Sequence, residues 1–245
     1  VNVVTTQEVY NEFGSGTPDL VAIRNYVKMF ADRGRAPKYL LLFGAASYDY
    51  RNRVKNNTNL VPSWQSLASL DGLRSYVTDD FFGILAPGGD INRTDKADTL
   101  ETGIGRIPAT NANEATIAVN KIIHYYEPAA LGKWRNDIMI IADDEDNNLH
   151  FNDAEKLAGV ISEVAPVFNL NKIYVDAYPQ VIKSGISTSP EVNNAISKGI
   201  NQGTLILNYT GHGSSRRLAA ESIIDATSLS SWQNKNKLPL FITAS

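Results

Sequence analysis

The 245-residue chain contains no cysteine, so no disulfide can hold it and no thiolate within it can act as nucleophile or metal ligand. Cysteine usage therefore says nothing about the redox compartment. Histidine is nearly as scarce, with three scattered residues, which argues against a zinc site of the usual nitrogen and sulfur ligands. The net charge is only -3 and the pI about 5.7, so there is no basic footprint and nucleic acid is excluded as a partner. No apolar run is long enough to span a membrane, and no signal peptide opens the chain. Val1 reads as a fragment boundary and not a natural start. There is no internal repeat and no low-complexity segment.

What is present is an alternation of short apolar runs and helical stripes, in a chain long enough for one large α/β domain or two small ones. Thr17-Pro18-Asp19 starts a helix with proline at its first position, Leu20, Ile23, Val27 and Phe30 recur at helical spacing, and Gly34 ends it. Tyr39 to Phe43 reads as a buried parallel strand ending in Gly44. Tyr76 to Ala86 forms one arm of a hairpin, Pro87-Gly88-Gly89-Asp90 its turn, and Thr102 to Ile107 the returning strand. Asn111 and Glu114 make a capping box before a helix with Ala115, Val119, Ile122 and Tyr126 as its buried stripe.

From Trp134 the rhythm is strictly strand then helix. Ile138 to Ala142 and Lys172 to Val175 are strands, and the helix Asn152 to Ala165 between them turns Leu157, Val160, Ile161 and Val164 to one face. Ser189-Pro190-Glu191 starts a helix carrying Val192, Ile196 and Ile200. Thr204 to Tyr209 is an apolar run without alternation, as expected of a strand buried on both faces. His212 stands just past its end, where open α/β sheets bind ligands. Leu238 to Ala244 is the next strand of the same sheet, and its carboxyl end should lie beside His212.

The run Asn208-Tyr209-Thr210-Gly211-His212-Gly213-Ser214, followed about thirty residues on by Asn236-Lys237-Leu238-Pro239-Leu240-Phe241-Ile242, resembles the catalytic block of the gingipain family of cysteine peptidases. Lys38 to Gly44, Asp79-Asp80-Phe81-Phe82-Gly83, Gly103 to Pro108 and His124-Tyr125-Tyr126-Glu127 follow in the family's order. The resemblance implies an α/β fold of the caspase-like three-layer α/β/α kind, with mostly parallel sheets in two side-by-side subdomains. The smaller would be residues 1–133, and residues 134–245 the amino-terminal part of the active-site subdomain, which would be incomplete. It further implies that the nucleophilic cysteine is the residue immediately after Ser245. Pro37 to Gly44, Glu101 to Pro108, Ile140 to Asn148 and Leu238 to Ser245 are similar to the sortase branch of the family, which serves type IX secretion. That branch implies an exported protein at the outer-membrane surface of a Gram-negative bacterium, cleaving carboxy-terminal sorting domains from exported cargo. Its partners would be that cargo, the rest of its own catalytic domain and other secretion-system components.

On the resemblance, His212 is the general base, since a cysteine peptidase needs an imidazole within hydrogen-bond reach of its thiol. The backbone amide of Gly213, with that of the missing cysteine, would form the oxyanion hole; without the resemblance, Gly213 serves only to permit a turn with positive φ. Glu145 stands at the position of the family's acidic partner to the histidine, with Asp143-Asp144 where small residues are common. Read alone, the same residues are a solvated acidic loop. Asp144, Asp146, Asn148, His150, Asn152 and Glu155 fall at the spacing of an EF-hand loop, but Leu149 occupies the place of the required glycine and a strand precedes the loop. Asn152 with Glu155 is better read as a capping box. No cofactor is expected for catalysis, whereas structural calcium is implied by the resemblance, with Asp144 and Asp146 as candidate ligands. His124 reads as a surface residue; His150, in the acidic loop, could line a substrate pocket or bind a metal, although a solvated loop histidine is the commoner case. Ser214 and Ser245 are weak alternative nucleophiles. The rival functions are a pseudoenzyme of the same fold and a calcium-dependent interaction domain centred on the acidic loop.

Overall fold

The structure is a computed structural model, and it describes residues 1–68, 70–71, 74–92, 98–183 and 186–244. Helices α1 (Thr6–Phe13) and α2 (Leu20–Asp32) precede strand β1 (Tyr39–Phe43), the short strands β2 (Trp64–Gln65) and β3 (Val77–Thr78), β4 (Gly103–Ile107) and helix α3 (Ala112–Tyr125). Then come β5 (Asp137–Ala142), α4 (Leu149–Val164), β6 (Asn169–Tyr174), β7 (Val181–Lys183), β8 (Ile186–Thr188), α5 (Pro190–Gln202), β9 (Ile206–Thr210), β10 (Arg217–Leu218), β11 (Ile224–Asp225), α6 (Ala226–Ser231) and β12 (Leu240–Ala244). Two compact units result, Val1–Asn120 and Lys121–Ser245.

In the first unit, β1 and β4 pair in parallel from Tyr39 opposite Gly103 to Phe43 opposite Ile107. The returning strand of the expected hairpin is therefore a neighbour of β1. Val77–Thr78 pairs instead with Trp64–Gln65, and Asp80–Phe82 is a turn of 3-10 helix. An arginine decides this. Arg106 grips Asp79 through Nε and Nη2, each at 2.7 Å, while its guanidinium also donates to the carbonyls of Gly44, Val61 and Pro62. Leu42 packs with Val9, Tyr10, Ala22, Ile23, Val61 and Phe82, but Tyr39, Leu41 and Phe43 on the other face of β1 are exposed. The strand thus buries one face and not two. Of the stripe expected on α3, which runs across the boundary of the two units, Val119 and Ile122 are exposed, as is Tyr126 just past the helix end. Helix α2 starts one residue past Asp19, whose side chain caps it, so Pro18 lies outside.

The second unit is a four-stranded, all-parallel sheet in the order β12-β9-β5-β6. Strand β5 alternates with period two between two cores. Met139 and Ile141 join Leu207, Tyr209 and the α5 residues Val192, Ile196 and Ile200. Ile138, Ile140 and Ala142 join Ala154 and Ala158 of α4. Helices α4 and α5 therefore cover opposite faces, giving three layers. The buried face of α4 is His150, Ala154 and Ala158, whereas Val160 and Val164 of the expected stripe are exposed. Two small alanines let the helix lie close on the sheet, which outweighs the larger side chains of the other face. From β5 the chain crosses by α4 to β6 on one side, then by α5 to β9 on the other. The strand order reverses between β5 and β9, and ligand crevices of α/β sheets form beyond the carboxyl ends of such a pair.

Candidate active site

Two loops leave the sheet at that switch point, residues 143–148 after β5 and residues 211–213 after β9. Asp143 is 1% exposed, and its amide donates to Thr210 O at 3.0 Å, continuing the ladder one step past β5. Its Oδ2 accepts from the backbone amide of His212 at 3.0 Å and from the Tyr209 hydroxyl at 3.1 Å. The Tyr209 hydroxyl also meets His212 O at 2.6 Å. Burial first, then the charge and hydrogen bond of Asp143, push the phenol far above its ordinary range, so it remains a donor. Gly211 makes the tight exit from β9. Its φ is 156°, and a Cβ there would lie 2.4 Å from Asp143 Cβ and 2.6 Å from the Tyr209 hydroxyl.

The His212 side chain is half exposed, with Nε2 2.8 Å from Asp146 Oδ2. The hydrogen bond to Asp146 and its charge hold the imidazole above the ordinary histidine range, with smaller help from Glu145 and Asp143. A carboxylate only accepts, so Nε2 carries the proton and Nδ1 is the nitrogen left for a nucleophile. Asp146, Asn147 and Asn148 all have positive φ, a run of left-handed residues that asparagine and aspartate tolerate best. This turn carries Asp146 back to the ring. His150, 7% exposed in the first turn of α4, packs edge-on against His212 with ring centroids 5.1 Å apart, and its Nε2 is 3.5 Å from the same Asp146 oxygen.

Glu145 is exposed and reaches His212 only as a charge at longer range. The side chain at hydrogen-bond distance is the next residue but one, counting from Asp144, namely Asp146. Asp144 and Asp146 fall in different groups of metal-ligating side chains, Asp144 with Asp143 and Glu221, and Asp146 with His150 and His212. They do not share one site. The EF-hand spacing is not realised either, since Glu155 turns to Lys172 and Tyr174. Asn152 lies within α4 and caps nothing, because the helix begins at Leu149. Gly213 has no positive φ; the residue that needs that freedom is Gly211. His150 is a buried neighbour of His212 instead of a solvated loop residue, and His124 is held between Glu127 and Asn236 at 2.7 and 2.8 Å. Ser214 hydrogen-bonds within its own turn, and Ser245 lies outside the described residues.

The sequence reading gave no role of their own to Asp143, Tyr209 and Glu221, and it did not place His150 against His212. Spacing carried no usable signal for Asp146 with His150, because Asp146 lies in the left-handed turn before α4 begins at Leu149. Glu221 had none, standing in an irregular stretch nine residues past His212.

The profile of Peptidase family C25 matches residues 1–245. No curated protein matches the chain. Among solved structures, the Arg-specific cysteine proteinase gingipain R (RgpB) aligns with a TM-score of 0.65 and 19% identity over 95% of this chain and 46% of its own. The complex of Porphyromonas gingivalis RgpB pro- and mature domains aligns at 0.68 and 19% over 99% and 48%. Latent dimeric PorU from the same organism is 33% identical over 54% of this chain and 13% of its own, with a TM-score of 0.42. The RgpB likeness shows a common caspase-like α/β fold. The chain spans about half the length of those RgpB structures.

Proposed function

This chain belongs to Peptidase family C25, and from that premise we propose that it supplies the general base of a cysteine peptidase whose nucleophile is a cysteine directly after Ser245. One observation carries the reading. β12 runs parallel to β9 with Ala244 opposite Thr210, and the Gly211 amide donates to Ala244 O at 3.1 Å, one residue before His212. Neighbouring strands lie about 4.8 Å apart, so a residue just beyond β12 is within side-chain reach of the imidazole.

In this mechanism the thiolate sulfur attacks the peptide carbonyl carbon and the carbonyl electrons move to oxygen. Gly213 supports the oxyanion role through its backbone: the hydrogen bonds flanking it run from Ala219 N to His212 O and from Ser214 N to Arg217 O, leaving its own amide outside that ladder. The carbon–nitrogen bond then breaks as the His212 imidazolium gives its proton to the leaving amine. An acyl-enzyme remains. Neutral His212 next takes a proton from the acceptor, water or an amine, which expels the thiolate. Asp146 keeps the ring oriented through both halves and favours its charged form whenever it holds the second proton.

The finer reading is a sortase-type endopeptidase, exported to the outer-membrane surface. It removes carboxy-terminal sorting domains from exported cargo and passes the acyl group to an amine, with other secretion-system components as partners. The similarity of Pro37 to Gly44 and Ile140 to Asn148 to that branch supports it.

The test is a longer chain that continues past Ser245, assayed by mass spectrometry on a cargo carboxy-terminal segment with and without an added amine. Cleavage that vanishes in His212→Ala, with the amine found on the product, is expected. Turnover unchanged in His212→Ala, or a residue other than cysteine after Ser245, overturns the proposal, and product carrying only water removes the sortase part.

A further inference from the structure

The peptidase reading uses Asp146 and His212 and leaves His150 without any chemistry of its own. Yet the His150 side chain is only 9% exposed, and its Nε2 is buried with no hydrogen-bond partner among the described residues. Asp146 Oδ2 lies 3.5 Å from that nitrogen, and the same oxygen already meets His212 Nε2 at 2.8 Å. Ligand atoms of all three residues lie within 4.8 Å of one another. A ring nitrogen buried without a partner is costly, so this one calls for something to fill the space it faces.

Three histidines scattered at 124, 150 and 212 argue against zinc when only their spacing is read. The fold brings two of them ring to ring, with centroids 5.1 Å apart, and sets one carboxylate oxygen before both. Two imidazoles and a carboxylate suit zinc and its transition-metal neighbours, whereas calcium and magnesium take oxygen ligands. Zinc bonds of about 2.0–2.1 Å at tetrahedral angles set ligand atoms roughly 3.4 Å apart, so separations of 2.8 and 3.5 Å need adjust little. The side chains of Asp146 and His212 are 48% and 54% exposed, which gives an ion its way in from solvent. We propose that Asp146 Oδ2, His150 Nε2 and His212 Nε2 bind one zinc-class ion, with a fourth position open to water, and that this ion switches the histidine off. Coordination takes the lone pair of His212 Nε2 and displaces the proton there, so the proton the ring keeps sits on Nδ1. Nδ1 is the nitrogen left for the nucleophile, and once protonated it has no lone pair to accept a proton from it. The switch rests on the peptidase reading; the metal site does not.

The 245-residue chain has no thiol, so calorimetric titration of the chelator-treated chain with zinc chloride reads these ligands without a competing cysteine. One zinc site is expected, at least tenfold tighter than calcium, and His150→Phe should weaken it at least tenfold. Heteronuclear NMR of the imidazole nitrogens gives a second readout on the natural chain. With one equivalent of zinc the His150 and His212 signals should move and His212 should show its proton on Nδ1. His124, held by Glu127 and Asn236, should stay where it is. No saturable zinc binding up to millimolar concentration, or zinc that leaves the His150 ring unmoved, overturns the site; a His212 ring still protonated at Nε2 in the zinc-bound chain overturns the switch. If His150→Phe does not fold, the nitrogen spectra still decide. In the longer chain that continues past Ser245, turnover should fall with zinc, return with chelator, and be at least tenfold less sensitive to zinc in His150→Phe. Equal sensitivity in that variant would put the inhibition on the thiol and overturn the switch, whereas a longer chain inactive before zinc is added counts against the peptidase reading and leaves the binding result to stand.

Discussion

Nε2 of His212 meets Oδ2 of Asp146 at 2.8 Å, and the same oxygen lies 3.5 Å from Nε2 of His150, so one carboxylate faces two imidazoles. Asp146→Asn keeps the shape and removes the charge. The midpoint of the His212 ring, followed by NMR, should fall from its raised value, and the alkaline limb of any activity profile should fall with it. Glu145 and Asp143 remain as smaller raising influences, so the fall stops short of complete. The sign for stability follows. The ring is raised above about 6.5, so its contribution is complete below that pH and is lost as pH rises through the folded value. An unchanged midpoint would detach Asp146 from the histidine.

Tyr209→Phe deletes the hydroxyl shared by Asp143 Oδ2 and His212 O and leaves a buried carboxylate one donor short. Urea unfolding should show a loss of about 1–3 kcal/mol. The loss should come with disorder of the loop carrying His212, visible as faster exchange of its amide.

At Gly211, alanine would meet Asp143 Cβ at 2.4 Å with φ at 156°. Gly211→Ala should cost about 1–3 kcal/mol by the same assay, since backbone strain and overpacking each fall in that range. Gly213→Ala should cost less, because its nearest neighbour is Leu218 Cδ2 at 3.2 Å and its φ is not positive. Equal losses at the two glycines would remove the distinction.

Arg106→Lys tests the first unit. Lysine keeps the charge but cannot reproduce a two-point grip on Asp79 together with three carbonyl contacts. A loss of about 1–3 kcal/mol is expected, from carbonyls left without their donors while the charge on Asp79 is still met.

His150→Phe keeps an aromatic ring against His212 and deletes the second nitrogen facing Asp146. It should leave stability within about 1 kcal/mol, as a volume-tolerant exchange does, while moving the His212 titration midpoint. A midpoint identical to the natural chain would make His150 a packing residue only.

The strands β5, β9 and β12, the helix α5 and the place of His212 were all legible in the sequence. Each depends on local signals: β-branched apolar runs, a proline at a helix start, glycines at a strand exit. Periodicity found the buried face of α5, at Val192, Ile196 and Ile200, but misled on α4. The larger side chains of α4 pointed to Val160 and Val164, yet the sheet took Ala154 and Ala158, because close approach to a flat surface favours small residues. Thr102 to Ile107 read as a hairpin arm because local spacing is blind to Arg106 reaching Asp79.

Composition and spacing alone determined that this is an α/β chain without a thiol of its own and with an imidazole at a strand end. Tertiary structure decided which acid meets that imidazole, that Asp144 and Asp146 part company, and that Glu221 joins Asp143. Strand and helix tendencies act over a few residues, whereas those contacts arise only when the crossovers bring separate loops to one end of the sheet.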